Sequence, residues 1–235
     1  MEKKGYVLIT GGGSGLGKSL ALQFAKRKFL VVLVGRTKSK LDAVSKECGK
    51  NYSLAIEADV SKRANVERCF HLANEWAGFP LLAFSCAGEG IYGKVGSFSD
   101  IQLERVMSGA LFGTILVAQK AFLEMKNKGG TIVNILSTAA ISCKVNESIY
   151  CAAKWGAKGF TESLRLEAKG TKVKVIAVYP GGLQTQFGNL NGVMKTDTSG
   201  FINPDELAQT IIENVLNKHS LYVADIIINR IYKAY

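Results

Sequence analysis

Proline is scarce in this sequence, and long apolar runs are absent. The 235 residues contain only three prolines and no low-complexity tract, so a disordered or proline-rich linker is excluded. The longest apolar runs, such as residues 29–34, fall well short of the roughly 18 residues of a spanning helix, so no transmembrane segment and no membrane partner are predicted. The few apolar residues before the first glycine cluster predict no signal peptide.

Neither the cysteines nor the histidines have the spacing of a metal site. None of the five cysteines forms a Cys-x-x-Cys pair, and only two histidines could join them, so we expect no metal. An odd number of cysteines without a signal peptide favours a reducing cytoplasm, where each would serve as a small buried apolar residue. The cysteines are Cys48, Cys69, Cys86, Cys143 and Cys151.

Basic residues outnumber acidic ones, but they are not concentrated. The net charge of +11 is shared between both halves of the chain, without a basic arm or tail. Such a charge suits nucleic acid, an acidic substrate or an acidic carrier protein, or it reflects a solvated surface with a basic bias. No lysine and arginine cluster is interleaved with aromatic residues, so we favour the solvated surface and predict no nucleic-acid partner.

Short β-rich runs alternate with longer helical runs along the whole chain. Several of the predicted strands are apolar throughout, as a parallel sheet covered on both faces requires. This alternation predicts an α/β protein with a doubly wound parallel sheet of about seven strands, in a single domain over residues 1–235. A substrate-binding loop is predicted over residues 183–203, after a strand. The predicted strands are 6–10, 30–34, 53–57, 81–86, 131–136, 173–179 and 221–228; the predicted helices are 16–28, 39–48, 62–76, 100–127, 148–168 and 204–217.

A glycine-rich turn, Gly-Gly-Gly-Ser-Gly-Leu-Gly at 11–17, joins the first strand to the first helix. Glycines allow the backbone to approach a phosphate closely, and the start of a helix offers free N–H groups and a positive dipole end. Two nucleotide classes fit. Residues 12–19 match Gly-x-x-x-x-Gly-Lys-Ser, the ATP/GTP P-loop, but Asp59 and Asp225 are poorly placed as its magnesium ligand. Residues 10–17 match a second spacing, Thr-Gly-x-x-x-Gly-x-Gly.

A tyrosine and a lysine stand one helical turn apart in the second half of the chain. Tyr150 and Lys154 therefore share a helix face, and Ser137 follows an apolar strand thirteen residues before the tyrosine. An ammonium about 4 Å away, at an effective dielectric constant of about 20, favours the phenolate by roughly 4 kcal/mol before desolvation. We therefore expect Lys154 to lower the pKa of Tyr150 and make it a working proton donor. A strand-end hydroxyl can hold a carbonyl oxygen.

These motifs, in this order, resemble the short-chain dehydrogenase/reductase family over most of the chain. The resemblance implies hydride transfer between a nicotinamide and a carbonyl or alcohol carbon, with Tyr150 as acid/base, Ser137 orienting the carbonyl and Lys154 also bonding the nicotinamide ribose. It also implies a cofactor turn at Thr10, Gly11, Gly13, Ser14, Gly15, Leu16 and Gly17; adenine contacts at Asp59 and Val60; close backbone approach at Ala87 and Gly88; and a nicotinamide-end segment with Pro180, Gly181 and Thr185.

The sequence departs from the family pattern in two places. The family's Asn-Asn-Ala-Gly segment is Ser-Cys-Ala-Gly at 85–88. The helix asparagine that helps to hold a proton-relay water aligns with Ala110, whose side chain makes no hydrogen bond. Either Ser108 or additional water arranges the relay, or turnover is slow. A nucleotide-binding protein of the same fold with weak or no catalysis therefore stays an alternative, and a P-loop hydrolase is a less favoured one.

The end of the second strand indicates which dinucleotide is bound. Enzymes of this fold that use NAD place an acid there, and here no acid occurs before Asp42. Arg36 can instead grip a 2′-phosphate with paired N–H donors, assisted by Ser14, Thr37 and Lys38. We therefore favour NADP(H) over NAD(H).

The substrate and the partners are less defined by sequence. The family resemblance implies a small-molecule carbonyl or alcohol substrate. The loops that carry Tyr92, Phe187 and Met194 are expected to line its pocket, with Gly90 and Ile91, and Tyr92 and Tyr179 are candidates for orienting the substrate. The predicted helix at 148–168 is apolar on more than one side, which indicates burial against the sheet and against a second subunit. We expect a homodimer or homotetramer.

Overall fold

Seven parallel strands form the centre of the protein in this computed structural model, which describes residues 5–185, 187, 200–216 and 221–230. The spatial order is β3-β2-β1-β4-β5-β6-β7, and every paired strand is parallel to its neighbour. The predicted doubly wound sheet of seven strands is confirmed. The strands are β1 (Tyr6–Thr10), β2 (Leu30–Gly35), β3 (Ser53–Glu57), β4 (Pro80–Ser85), β5 (Gly130–Ile135), β6 (Val173–Pro180) and β7 (Asp225–Ile228).

Helices cover both faces of the sheet and enclose two apolar cores. One core lies between the sheet and α1, α2 and α7, and it includes Phe24 and Ile211. The other lies beneath α3, α5 and α6, and it includes Phe70 and Met125. Strands buried on both faces need apolar residues at every position, which explains why they do not alternate. The helices are α1 (Gly15–Lys26), α2 (Lys38–Cys48), α3 (Arg63–Ala77), α4 (Asp100–Met107), α5 (Gly113–Met125), α6 (Ser148–Glu167) and α7 (Pro204–Val215).

The helix predicted over residues 100–127 is interrupted. It begins at a capping box in which Ser99 and Gln102 bond each other's backbone N–H groups, and it passes from α4 to α5 through a π-helical turn, Ser108–Phe112. The run Asp100–Met125 is also long and apolar enough, with a mean hydropathy of 1.5, to be a candidate membrane span by length and composition. Val117, Ala121 and Met125 on this run pack in the core, so we interpret it as a core helix.

The last strand is shorter than predicted, and this bears on Asp225. The strand predicted over 221–228 begins at Asp225, so the carboxylate lies at the amino-terminal end of β7. There it accepts a 2.8 Å hydrogen bond from Arg165. Tyr222 lies outside the strand because its hydroxyl bonds the backbone N–H and C=O of Val175.

The order of strands reverses between β1 and β4, and the loops that follow these two strands open a crevice there. Thr10 holds the two strands together at this point. Its hydroxyl accepts the N–H groups of Cys86 and Ala87 at 3.0 Å each and donates to the Phe84 carbonyl at 3.3 Å. The carboxyl ends of the strands are therefore fixed around the crevice.

The predicted substrate loop, 183–203, lies mostly outside the described residues, which include only 183–185, 187 and 200–203 of it. The two described ends are joined to each other. Leu183 and Ile202 form a β-bridge, the N–H of Gln184 donates to Ile202 at 3.0 Å, and the N–H of Ile202 donates to Gly182 at 2.9 Å. This segment therefore leaves and rejoins the domain at one place beside the crevice.

Candidate active site

A cavity of about 1380 Å³ opens at the carboxyl ends of the strands and gathers residues from distant parts of the chain. Nearly every site residue predicted from the sequence lines it. Thr10 does not line it, because it lies buried beneath the floor, where it joins β1 to β4. Lys38, Gly90, Ile91 and Tyr179 do not line it either. The predicted residues on the wall are Gly11, Gly13, Ser14, Gly15, Leu16, Gly17, Arg36, Thr37, Asp59, Val60, Ala87, Gly88, Ser137, Tyr150, Lys154, Pro180, Gly181 and Thr185.

The glycine-rich turn is so tight that side chains are excluded. A Cβ on Gly17 would lie 2.3 Å from the carbonyl oxygen of Gly11, and Gly11 itself has a φ of +67°. Gly15 has a φ of +50°, and a Cβ there would come within 3.1 Å of Thr185. Helix α1 begins at this turn without an acidic residue in its first turn and without a side-chain cap from Ser14. Its first N–H groups are therefore available to an anion such as a dinucleotide phosphate.

The P-loop interpretation of the same residues is wrong. The ammonium of Lys18 lies 2.7 Å from the Glu47 carboxylate, in an ion pair between α1 and α2. Asp225 lies at the amino-terminal end of its strand, and the carboxylate of Asp59 accepts two hydrogen bonds from Ser61. Neither Asp59 nor Asp225, the two acids that the sequence offers, therefore has the position of a P-loop magnesium ligand.

Asp59 and Val60 follow β3 on the wall where the sequence predicts the adenine. Burial raises the pKa of the Asp59 carboxyl, but the hydrogen bonds from Ser61 and the charges of Arg36 and Lys62 outweigh burial and lower it. Asp59 is therefore a carboxylate at neutral pH. Ser61 also holds that carboxylate in place, through its backbone N–H at 3.0 Å and its hydroxyl at 2.8 Å.

The end of β2 presents Arg36 and Thr37 to the cavity, as expected. The Arg36 side chain is 62% exposed, and its guanidinium lies 3.7 Å from the buried carboxylate of Glu89. The sequence predicts that Lys38 helps Arg36 to bind a 2′-phosphate. The ammonium of Lys38 instead forms an ion pair with Asp42, and Lys38 does not line this cavity. Arg36 lies on the wall at this end of the cavity together with Lys40 and Lys62, and its planar guanidinium has the geometry that suits a phosphate.

The first two turns of α6 carry Tyr150 and Lys154, and both are buried. The ammonium of Lys154 donates to the carbonyl of Ile135 at 2.9 Å and lies 5.8 Å from the centre of the Tyr150 ring. Ser137, just after β5, hydrogen-bonds the phenol of Tyr150 and accepts the N–H of Ala139 at 3.1 Å. The three predicted catalytic residues thus meet in one place, with strand β5 positioning two of them.

Burial controls the proton affinities of this cluster. Burial raises the pKa of Tyr150, the nearby Tyr92 raises it further, and the hydrogen bond from Ser137 lowers it by less. Burial also lowers the pKa of Lys154 to about 8. The expected lowering of the Tyr150 pKa by Lys154 is not seen in this structure, where burial of the phenol raises that pKa. The phenol is protonated at neutral pH.

Ala110 is fully buried in the π-helical turn, against Gly88. It does not line the cavity, whereas Ser108, two residues earlier, does. In the described part of the chain, two buried side-chain atoms are without a protein hydrogen-bond partner: the Ser85 hydroxyl and the Asn134 carbonyl oxygen, on neighbouring strands in register. Ser108 is therefore the polar side chain of this turn that lines the cavity, whereas Ser85 and Asn134 do not line it.

Two aromatic rings flank Tyr150 at the substrate end. The ring centres of Tyr92 and Phe187 lie 6.0 and 5.8 Å from that of Tyr150, both in edge-on geometry. Gly90 and Ile91 are buried and do not line the cavity, so the expectation that they do is wrong, and Met194 lies outside the described residues. Tyr179 is also buried away from the cavity, so it cannot orient a substrate.

Several wall residues were not predicted from the sequence. Glu89 directly follows the Ala-Gly pair after β4, a position that could have indicated it, and Arg105 on α4 pairs with it. Lys144 and Glu147 reach the wall from a loop whose path has no sequence signature, whereas Ser108, which the sequence offers for the proton relay, lines the cavity. Among the described residues, no group of three histidine, cysteine or acidic side chains is arranged to hold a metal ion. Cys143 is exposed rather than buried, contrary to expectation.

The fold is that of a doubly wound α/β protein, and its cavity and glycine-rich turn lie where proteins of this class bind nucleotides. The family model described as short chain dehydrogenase matches residues 5–194, and the chain belongs to the short-chain dehydrogenase/reductase family. It is 30% identical to sepiapterin reductase from Chlorobaculum tepidum over 237 residues, or 96% of each chain.

Two solved structures are similar over nearly the whole chain. A short-chain dehydrogenase/reductase from Vibrio parahaemolyticus is 33% identical, with a TM-score of 0.87, covering 97% of this chain and 98% of the other. A 3-ketoacyl-(acyl-carrier-protein) reductase from Brucella melitensis complexed with NADH is 25% identical, with the same TM-score and coverage. Proteins of this structural group thus bind nicotinamide dinucleotides.

Proposed function

We propose that this protein transfers a hydride between NADP(H) and a carbonyl or secondary-alcohol substrate, with Tyr150 exchanging a proton with the substrate oxygen. The observation that carries this proposal is that Ser137, Tyr150 and Lys154 open onto the same cavity as the glycine-rich turn. A phosphate-binding turn and a proton donor in one cavity are what a nicotinamide-dependent reduction needs.

The cavity fits a dinucleotide along its whole length. The turn at 11–17 leaves no room for side chains, and the N–H groups at the start of α1 would bind the pyrophosphate. Arg36 would bind an adenosine 2′-phosphate, and Asp59 would face the adenine. At the other end, Pro180, Gly181 and Thr185 would enclose the nicotinamide. A bound nicotinamide supplies the hydride or accepts it.

Tyr150, Ser137 and Lys154 would together deliver a proton to the substrate oxygen. Tyr150 keeps its proton at neutral pH because burial raises its pKa, so it is held in the form that a carbonyl reduction consumes. Ser137 would bond the substrate oxygen and orient it towards the phenol. Lys154, anchored on the Ile135 carbonyl, would hold the nicotinamide ribose and place positive charge below the phenol as negative charge develops there.

The shape of the substrate end favours a flat compound. The rings of Tyr92 and Phe187 flank the phenol that would donate the proton, so a planar ring that carries the carbonyl can contact both. The relative named sepiapterin reductase is named for a fused-ring compound. We therefore propose a small ring ketone, or the corresponding alcohol, as the substrate class.

We also propose a homodimer or homotetramer in the cytoplasm. Large apolar side chains are exposed on the outer face of α5 and α6, including Leu123, Trp155 and Leu166, although the other face of each helix packs in the core. Such a face suits a second copy of the chain. Five free cysteines agree with a reducing compartment.

The second candidate is a nucleotide-binding protein of the same fold with weak or no catalysis. Ala110 in place of a relay asparagine, and a phenol whose pKa is raised, are the observations that favour it. It differs from the main proposal only in the chemical step, so measurements of binding do not distinguish the two.

A cofactor titration followed by an assay tests both candidates. We expect NADPH to bind more tightly than NADH, ATP to bind weakly, and NADPH to be consumed with a panel of ring ketones. Tight ATP binding without NADPH binding would overturn both candidates. Tight NADPH binding without turnover on any ketone would favour the second.

A further inference from the structure

An acidic side chain lies in the part of the cavity that the sequence assigns to the adenosine. Glu89 follows Gly88 at the end of β4, lines the cavity, and has a side chain only 8% exposed. A buried carboxylate is costly unless it is paired. The Glu89 carboxylate also lies 3.7 Å from the guanidinium of Arg36. An acid from β4 therefore stands beside Arg36, whereas the end of β2, which carries Arg36, has no acid of its own.

Arg105 pairs with this carboxylate far more closely than Arg36 does. The Nε and one terminal nitrogen of Arg105 donate to the two oxygens of Glu89 at 2.9 and 2.7 Å. This is a bidentate pair, the strongest geometry available to the two groups. Arg36, at 3.7 Å, makes no hydrogen bond to Glu89. Both Glu89 oxygens therefore accept hydrogen bonds from Arg105, and Arg36 interacts with Glu89 only through electrostatic attraction.

The net charge of Glu89, Arg105 and Arg36 determines how strongly this end of the cavity attracts an anion. Glu89 and Arg105 cancel, so the positive charge of Arg36 adds to those of Lys40 and Lys62 on the same wall. It is offset in part by Asp59, which interacts with it without a close ion pair. Without Arg105, the carboxylate of Glu89 would draw Arg36 into a full ion pair and repel a phosphate dianion at the same place. The presence of Arg105 on α4 thus determines how much of the Arg36 charge is available to an anion.

We propose that Arg105 is a specificity-determining positioning residue: by neutralising Glu89, it frees Arg36 to bind an adenosine 2′-phosphate. This inference rests on the proposed preference for NADP(H). It predicts that loss of Arg105 shifts selection towards the dinucleotide without that phosphate, because the exposed carboxylate can then accept the ribose hydroxyl.

The experiment is calorimetric titration with two fragments, adenosine 2′,5′-bisphosphate and 5′-AMP, which differ only in the 2′-phosphate. We expect Arg105→Gln to weaken binding of the bisphosphate roughly tenfold at low salt while 5′-AMP binding changes by less than about threefold. High salt should reduce the difference, because partly exposed charges are screened. No substrate or turnover is needed for this measurement.

A second substitution added to Arg105→Gln distinguishes a loss of binding caused by charge from one caused by damage to the fold. Adding Glu89→Gln to Arg105→Gln should restore bisphosphate binding to within about threefold of the original protein, because the repelling charge is gone. Adding Glu67→Gln instead changes the net charge equally from an exposed position on α3 outside the cavity and should restore it less. Equal loss of both fragments in Arg105→Gln, or equal rescue by the two glutamate substitutions, would overturn the inference.

The same titrations also test the proposed preference for NADP(H) separately from the role of Arg105. Arg36→Gln should remove most of the difference in affinity between the bisphosphate and 5′-AMP. If the unaltered protein binds both fragments equally, the preference for NADP(H) fails, and the inference fails with it. If Arg36→Gln removes the difference and Arg105→Gln does not, only the role of Arg105 is overturned.

Discussion

Tyr150 is a phenol in a site that disfavours its anion. Burial and the neighbouring Tyr92 raise its pKa, and the hydrogen bond from Ser137 acts in the opposite direction. At neutral pH the phenol therefore stays protonated, as reduction of a carbonyl requires, although its raised pKa makes it a weaker acid than a phenol in water. Reduction of a carbonyl uses the protonated form, whereas oxidation of an alcohol uses the phenolate, so the oxidation should need a higher pH than the reduction.

Ser137→Ala should slow the reaction and change its pH profile. The hydroxyl holds the carbonyl oxygen in our proposal, and loss of such a donor typically costs roughly 10²-fold in kcat. The same substitution removes the bond that lowers the pKa of Tyr150, so the alkaline rise of the oxidation rate should move to higher pH. Rate measurements over pH in both directions test this, and an unchanged profile would contradict the assigned role of Ser137.

Lys154→Met should stabilise the protein at neutral pH although it removes a site residue. Burial lowers the pKa of Lys154 to about 8, so below pH 8 the folded protein carries a buried charge that costs roughly 1–3 kcal/mol. Between pH 8 and the unfolded value near 10.4, the folded protein binds fewer protons than the unfolded chain, so this cost is relieved as pH rises.

Urea unfolding over pH measures that difference. The free energy of unfolding of Lys154→Met should exceed that of the original protein at pH 7, and the gap should close by about pH 10. A variant that is less stable at pH 7 would show that the bond to the Ile135 carbonyl contributes more than the burial of the charge costs.

At the scale of the elements, the turn between β1 and α1 is expected to tolerate substitution least. Gly17→Ala should abolish dinucleotide binding and lower stability, because its Cβ would lie 2.3 Å from the backbone oxygen of Gly11. Gly159→Ala is the matched control, since nothing lies within 4 Å of that position on α6 and alanine is the better helix former by roughly 0.5–1 kcal/mol. NADPH fluorescence titration and thermal unfolding compare the two. Unimpaired binding in Gly17→Ala would show that the turn is not the phosphate site.

The elements also show where sequence reasoning stops. Strands such as β1 and helices such as α1 follow from apolar runs and periodicity, so their positions are predicted to within one or two residues. The π-helical turn at Ser108–Phe112 is not predicted, because a single extra residue in a helical turn leaves the apolar pattern almost unchanged. Within that turn Ser108 lies on the cavity wall and Ala110 is buried, since side chains two positions apart do not share a helix face.

At the scale of the whole molecule, the strand order brings residues from every third of the chain to one crevice. Motif order and the rule that parallel strands place ligands at their carboxyl ends are enough to predict the wall from Gly11 to Thr185. Pairings across the crevice are not predicted, because sequence spacing does not reveal which loops meet. The contact of Glu89 with Arg36 and Arg105, and the burial of Tyr150, are of this kind.

The exposed apolar side chains of α5 and α6 predict self-association. Leu123 is 58% exposed and Trp155 is 44% exposed, on helices whose opposite faces pack in the core. Light scattering at micromolar concentration should find a dimer or tetramer, and Leu123→Glu with Trp155→Glu should give a monomer that stays folded. Val95→Glu, at an exposed apolar residue on a loop, is the control and should leave the assembly unchanged. A monomeric unaltered protein would contradict this prediction.

The proton transfer from Tyr150 beside a bound dinucleotide is tested most directly by single-turnover NADPH oxidation in Tyr150→Phe, with a ring ketone that the unaltered protein reduces. We predict a rate lower by roughly 10²–10⁴-fold, with NADPH affinity within about threefold of the original because phenylalanine keeps the ring and removes only the hydroxyl. Oxidation of NADPH at the full rate in this variant would contradict the account, since the proton would then come from another group.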